Sequence, residues 1–106
     1  MNMAANIVEY TVNPESAETL LERVRTHLVP AARQAKGYRG FLLLDRGAGS
    51  RLAIVLFDST ATAQSAQDTL APIGIEQTGS LMQGPIQRSV GTVVINDGEL
   101  ADASAR

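Results

Sequence analysis

The chain contains no cysteine and no tryptophan, and only one histidine, His27. Without cysteine there is no disulfide, no thiolate nucleophile and no thiolate metal site, which agrees with a reducing compartment. A single histidine with no thiol partner gives no basis for a dedicated transition-metal centre. Aromatic side chains are limited to Tyr10, Tyr38, Phe41 and Phe57. So few rings argue against any function that stacks nucleic-acid bases. A formal net charge of −2 gives no electrostatic case for nucleic acid or an anionic membrane. No apolar run approaches the roughly 20 residues needed to span a bilayer. The stretch Met1 to Asn6 lacks the basic segment and apolar run of a secretory signal. The expectation is a cytoplasmic protein.

What is present suits one globular domain. A chain of 106 residues with 44% apolar and 19% charged side chains has enough material for one core. The expected domain spans residues 1–97, and residues 98–106 (GELADASAR) read as a frayed polar tail.

Alternation over Ile7 to Val12 predicts a strand, with Val8, Tyr10 and Val12 on one face. Asn13 and Pro14 then open a helix to about Lys36. Ala17, Leu20, Leu21, Val24, Leu28, Ala31 and Ala35 form its apolar stripe, Pro30 predicts a kink, and Gly37 a stop. Gly40 to Arg46 and Leu52 to Phe57 predict an antiparallel hairpin joined by a short glycine-rich turn. Ser59 or Thr60 caps a second helix, which Pro72 is expected to stop near Ala71. Ile73 to Gly84 reads as irregular, with a helical turn near Ser80 to Gln83. A last strand is expected over about Ile86 to Ile95, with Gly91 as a bulge or close-approach point.

The order β-α-β-β-α-β defines an α+β, ferredoxin-like fold. Right-handed crossovers put both helices on one face of a four-stranded antiparallel sheet. The two middle strands are nevertheless apolar on both faces: Phe41 and Leu43 against Leu42 and Leu44, and Leu52, Ile54 and Leu56 against Ala53, Val55 and Phe57. Leaving such side chains wet forgoes roughly 1.5–3 kcal/mol each. A second copy packed sheet to sheet, approaching a barrel, is the simplest cover, so a homodimer is expected. Leu42 and Leu44 are expected at that interface, because Phe41 then enlarges the core under the helices.

With this order, the passages NIVEYTVNPE, KGYRGFLLL and LFDSTATAQSA make the chain, from about Asn6 to Ile95, resemble the antibiotic biosynthesis monooxygenase-like group of dimeric α+β barrel proteins. That group includes cofactor-independent monooxygenases acting on polyketide quinols, haem-degrading enzymes and many members without known activity. The resemblance implies a pocket between helices and sheet. Haem-degrading members use an Asn early in strand one, a Trp ending strand three, and a His in or after helix two. Asn6 matches the first, Phe57 stands in place of the Trp, and residues 59–84 contain no histidine. Haem binding of that type is therefore not expected, and no cofactor is implied. The Trp associated with the quinol-oxidising type is missing as well.

Candidate site residues follow from this frame. His27, at the edge of the helix-one stripe, is the candidate catalytic base for a phenol or enol proton; the plainer reading is a partly exposed ring that merely packs. Asn6, Tyr10 and Phe57 are the candidate ligand-binding residues. Each also has a structural account: a local backbone bond for Asn6, a buried ring with a satisfied hydroxyl for Tyr10, core packing for Phe57. Asp45, Arg46 and Arg51 are expected to pair across the hairpin, and Asp58 to pair with Arg88. The glycine-rich GAGS lies in a hairpin, where it cannot serve as a phosphate loop. Two functions remain open: a cofactor-independent oxygenase acting on an apolar or aromatic small molecule, and a non-catalytic small-ligand-binding or accessory dimer. Convergence of His27 and Asn6 on a cavity of at least roughly 300 Å³ is what a small-molecule site would show.

Overall fold

A computed structural model describes residues 2–98. The expected tail, Gly98 apart, lies outside the described residues. The strands β1 (Ala4–Val12), β2 (Tyr38–Asp45), β3 (Ser50–Phe57) and β4 (Met82–Thr92) form one antiparallel sheet in the order β2-β3-β1-β4. This is the expected ferredoxin-like α+β architecture. Asp45, at the end of β2, accepts a bond from Arg51 at 2.8 Å, while Arg46 pairs with Glu9 at 2.9 Å.

The first helical passage is not one regular helix. A 3-10 turn (Pro14–Ser16) leads into α1 (Ala17–Arg23), then a π-helical stretch (Val24–Leu28), then α2 (Val29–Gln34). The Val29 amide bonds the Val24 carbonyl, five residues back. The wide turn falls immediately before Pro30, where a proline ring would otherwise crowd the preceding α-helical turn. It also corrects the expected stripe. Steps of four residues drift by about 40° around an α-helix, and the wider turn absorbs part of that drift. Leu20, Val24 and Ala32 are therefore buried, whereas Leu21 is exposed and Ala31 only half-buried.

The second helix, α3 (Thr60–Thr78), runs past Pro72 rather than stopping there. Pro72 leaves the carbonyl of Asp68 without its helical partner, but both residues are exposed and water can take the bond. At the start, Ser59 and Thr62 exchange reciprocal bonds of 3.2 Å, and the Thr62 hydroxyl donates to Asp58 at 2.7 Å. Asp58 is thus engaged with the helix start and not with Arg88. At the far end, Arg23 donates to the Gln77 carbonyl at 2.9 Å, meeting one of the orphan carbonyls of the last turn. A 3-10 turn (Gly79–Leu81) delivers the chain to β4.

The bulge in β4 lies nearer its start than expected. The β1–β4 register shifts between Glu9 and Thr11, opposite residues 84–86, where Gly84 has φ +69°. Gly91 instead pairs in register with Ala5.

The helices cover one face of the sheet only. Under them Ala4, Val55, Phe57, Ala63 and Ala66 form one part of the core, and Tyr10, Val12, Leu20 and Val24 the other. Phe41 and Leu43 pack against this core, as expected from the parity of β2. Leu42 and Leu44 face the opposite way and are 44% and 41% exposed. Across the sheet they pair with Ile54 and Leu52, and Ile54 in turn with Ile7. The second face is therefore apolar across three strands and uncovered by the described residues.

Candidate functional site

Between the sheet and α3 lies a cavity of about 90 Å³. Its floor comes from helix-side residues of β1, β2 and β3, including Val8, Phe41 and Val55. The π-helical stretch contributes Val24 and Leu28, and β4 contributes Met82 and Ile86. The second half of α3 forms the roof through Leu70, Ala71 and Gly74. Small roof residues explain the space. A β-carbon placed on Gly74 would stand 3.8 Å from Leu28 Cδ2, ordinary contact that the native chain forgoes. The second helix is mostly small on its inner face because larger residues would push it off the sheet or fill this gap.

The polar groups in the lining are Asn6, Tyr10, Gln67, Thr78 and Arg88. Thr78 is committed, donating to the Gly74 carbonyl at 2.6 Å. Asn6 is 3% exposed; its side-chain nitrogen donates to the Ala63 carbonyl at 2.9 Å, and its Oδ1 has no partner. The Tyr10 ring is buried, and that burial pushes its hydroxyl pKa up from 10.0 to about 12, against a smaller lowering by Arg51. The phenol is therefore neutral at ordinary pH and acts as donor or acceptor, never as phenolate. Arg88 is exposed and marks the rim. None of the lining residues is a carboxylate, lysine or histidine.

Of the four residues singled out in the sequence, the structure brings Asn6 and Tyr10 together in this lining and leaves out the other two. His27 does not converge on the cavity with Asn6. It is exposed with Arg25 and Thr26, while Val24 and Leu28 of the same π-helical stretch take the inward positions. Phe57 is fully buried in the neighbouring core, edge-on to Tyr38 with ring centres 6.4 Å apart. The cavity is also smaller than the roughly 300 Å³ expected of an enclosing site. Its size suits one ring seated with its outer edge in the mouth rather than a polycycle fully enclosed. Gln67 and Arg88 were not anticipated. Their signal was strand parity for Arg88, two residues from inward-packing Val90, and helical spacing from Ala63 for Gln67.

Among the described residues no helix is long and apolar enough to cross a membrane, and no cluster of acidic or histidine side chains could hold a metal ion. No protein-family model and no curated protein sequence matches the chain. Solved structures do. A protein from Nitrosomonas europaea, provisionally named an antibiotic biosynthesis monooxygenase, superposes with TM-score 0.75 at 15% identity, over 92% of this chain and 95% of that one. One of the same provisional name from Bordetella bronchiseptica gives TM-score 0.74 at 16% identity, over 90% and 100%. A Streptomyces coelicolor monooxygenase, solved in complex with nanaomycin D, gives TM-score 0.73 at 16% identity, over 91% of both chains. The chain thus has the ferredoxin-like α+β fold of the antibiotic biosynthesis monooxygenase-like proteins.

Proposed function

We propose that this protein is a monooxygenase-like small-molecule protein that takes an apolar, ring-bearing compound into the cavity beneath α3. The observation that carries this reading is the gap itself, apolar in most of its lining, with Asn6 and Tyr10 among the residues that line it and Arg88 at the rim. Similar folds that include a monooxygenase solved with nanaomycin D support the same class of ligand. In the oxygenase form of the reading no cofactor takes part. A ring methylene loses two hydrogens, one oxygen atom of O₂ enters as a carbonyl, and the other leaves as water. The substrate supplies all the electrons. Because the lining holds no side chain that can take up the substrate's proton, such a substrate must ionise on its own acidity, and the Arg88 guanidinium favours the anion.

The same absence of a base supports a second reading, a binding module without catalysis. His27 serves the first reading only if solvent carries the proton to its exposed ring. Oxygen uptake with anthrone-type compounds, which carry such a ring methylene, decides between them. Uptake that exceeds the protein-free rate and survives His27→Ala supports oxygenation by the cavity. Binding without uptake supports the module, and neither binding nor uptake removes both.

The working unit we propose is a homodimer. The support is the uncovered apolar face around Leu42, Leu44 and Ile54, with Val94 and Ile95 standing in solvent beyond β4. Sheet-to-sheet packing of two copies covers that face and leaves each cavity on the outer, helix-covered side.

A further inference from the structure

We infer that residues 73–80, the end of α3 and the turn after it, are a lid over the cavity, and that Arg23 is its latch. This rests on the ligand-pocket reading above and adds how a compound larger than one ring is admitted. The cavity of about 90 Å³ is smaller than the roughly 150 Å³ void that takes a benzene ring whole. One ring can sit with its edge in the mouth, but a fused pair needs a wall to move. The floor is stiff, because its three strands are joined by backbone ladders. The roof differs along its length. Up to Leu70 it is fastened: Ala63 and Ala66 are buried in the core, Leu70 packs against them, and Asn6 bonds the Ala63 carbonyl. Pro72 then interrupts the helix ladder, since it has no amide for the Asp68 carbonyl. Beyond it, no residue from 73 to 80 contributes to either apolar cluster of the core. Gly74 and Thr78 line the cavity with little apolar surface, and the Thr78 hydroxyl bonds the Gly74 carbonyl within the same stretch. Leu81 ends the stretch, packing on the core while its carbonyl accepts from the Asn13 amide at 3.0 Å. Among the described residues, one hydrogen bond ties residues 73–80 to anything beyond their own helix and turn: Arg23 donates to the Gln77 carbonyl at 2.9 Å. A helical stretch this short has little stability of its own, so releasing that bond lets it unwind and uncover the cavity.

Amide hydrogen exchange of the full-length protein, read by NMR, tests the lid. Amides of residues 76–79 are expected to be at least about tenfold less protected than those of residues 64–70 in the same helix. Arg23→Met keeps the stem and removes the donor. It is expected to quicken exchange at 76–79 about tenfold and to leave 64–70 within about twofold. Pro72→Ala restores an amide for the Asp68 carbonyl and is expected to slow the same amides. The latch also acts on ligands by size, because a compound that needs the open form binds in proportion to that form's population. Arg23→Met is therefore expected to tighten naphthalene several-fold and to leave toluene, which seats in the mouth, within about twofold. Protection at 76–79 equal to that at 64–70 overturns the lid, and this is read on the native chain even if the variants fold poorly. A variant that quickens both stretches alike overturns the latch, as does naphthalene that binds with unchanged affinity. Exchange as expected, with neither naphthalene nor toluene bound, keeps the lid and overturns the pocket reading.

Discussion

Asn6 on the first strand donates a hydrogen bond of 2.9 Å to the carbonyl of Ala63, 57 residues later in the second helix. The bond crosses from sheet to helix where the intervening residues are small: Ala63 and Ala66 are both buried. Its energetics are lopsided, because the same side chain brings an unpaired oxygen into the core. Removing both ends of the amide deletes one bond, worth about 1 kcal/mol, and also one desolvation penalty of about 1–3 kcal/mol. Asn6→Leu is therefore expected to leave stability unchanged or raise it by up to about 1 kcal/mol in denaturant unfolding. A loss above about 2 kcal/mol would show that Oδ1 is already satisfied in the native protein.

Gly37 ties the first helical passage to the start of the second. It has φ +83°, its carbonyl accepts from the Asp58 amide at 2.9 Å, and a β-carbon there would run into Asp58 and Thr62. Gly37→Ala incurs both left-handed strain and that collision, with an expected loss of about 2–3 kcal/mol. Thermal unfolding measures it; a fall in Tm of only a degree or two would mean that the Asp58–Thr62 pair yields freely.

Much of this fold was legible in the sequence because its cues are periodic and local. The parity of β2 separated Phe41 and Leu43 from Leu42 and Leu44, and the burial of each pair follows it. Pro72 misled because a proline stops a helix only when the freed carbonyl has nowhere to go, and here Asp68 faces water. The outward position of His27 was not legible. It depends on a π-helical stretch, which changes the angle per residue over five residues and leaves no mark in composition. Asn6, one residue before the expected strand, was found through the family resemblance, and Tyr10 by its residue type within that strand. Gln67 and Arg88 carried only a spacing signal, and Gly74 belongs to the site through packing.

The apolar second face gives a direct expectation for assembly. Leu42 and Leu44 are exposed on it and sit opposite Ile54 and Leu52. Leu42→Lys combined with Leu44→Lys places two charges per copy in the proposed interface, where like charges meet. Sedimentation at micromolar concentration is expected to show a dimer for the native chain and an 11.2 kDa species for the variant. A native chain that already sediments as the monomer defeats the dimer proposal.

Gly74 lies in the cavity roof, in the middle of α3, where a methyl group meets Leu28 at ordinary contact distance. Gly74→Ala is expected to stabilise the protein by about 0.5–1 kcal/mol through helix propensity. The same methyl group takes space from a cavity of about 90 Å³, so ring compounds are expected to bind several-fold more weakly. Opposite signs for stability and binding in one variant identify Gly74 as a residue kept small for the cavity. Loss of both would instead mean that α3 cannot accommodate the group.

Tyr10 provides the pH dependence. Burial pushes its pKa up from 10.0 to about 12 in the folded chain. Between those values the unfolded chain releases the phenolic proton and the folded chain keeps it. The native state then binds more protons, so stability is full below pH 10 and falls as pH rises toward 12. The loss attributable to this group is at most about 2 kcal/mol after allowing for solvent screening. Tyr10→Phe removes the titration while keeping the ring. Urea unfolding at pH 9 and at pH 11 is expected to show a smaller drop for the variant than for the native chain. Equal drops would mean that the hydroxyl reaches water through the cavity mouth and titrates alike in both states.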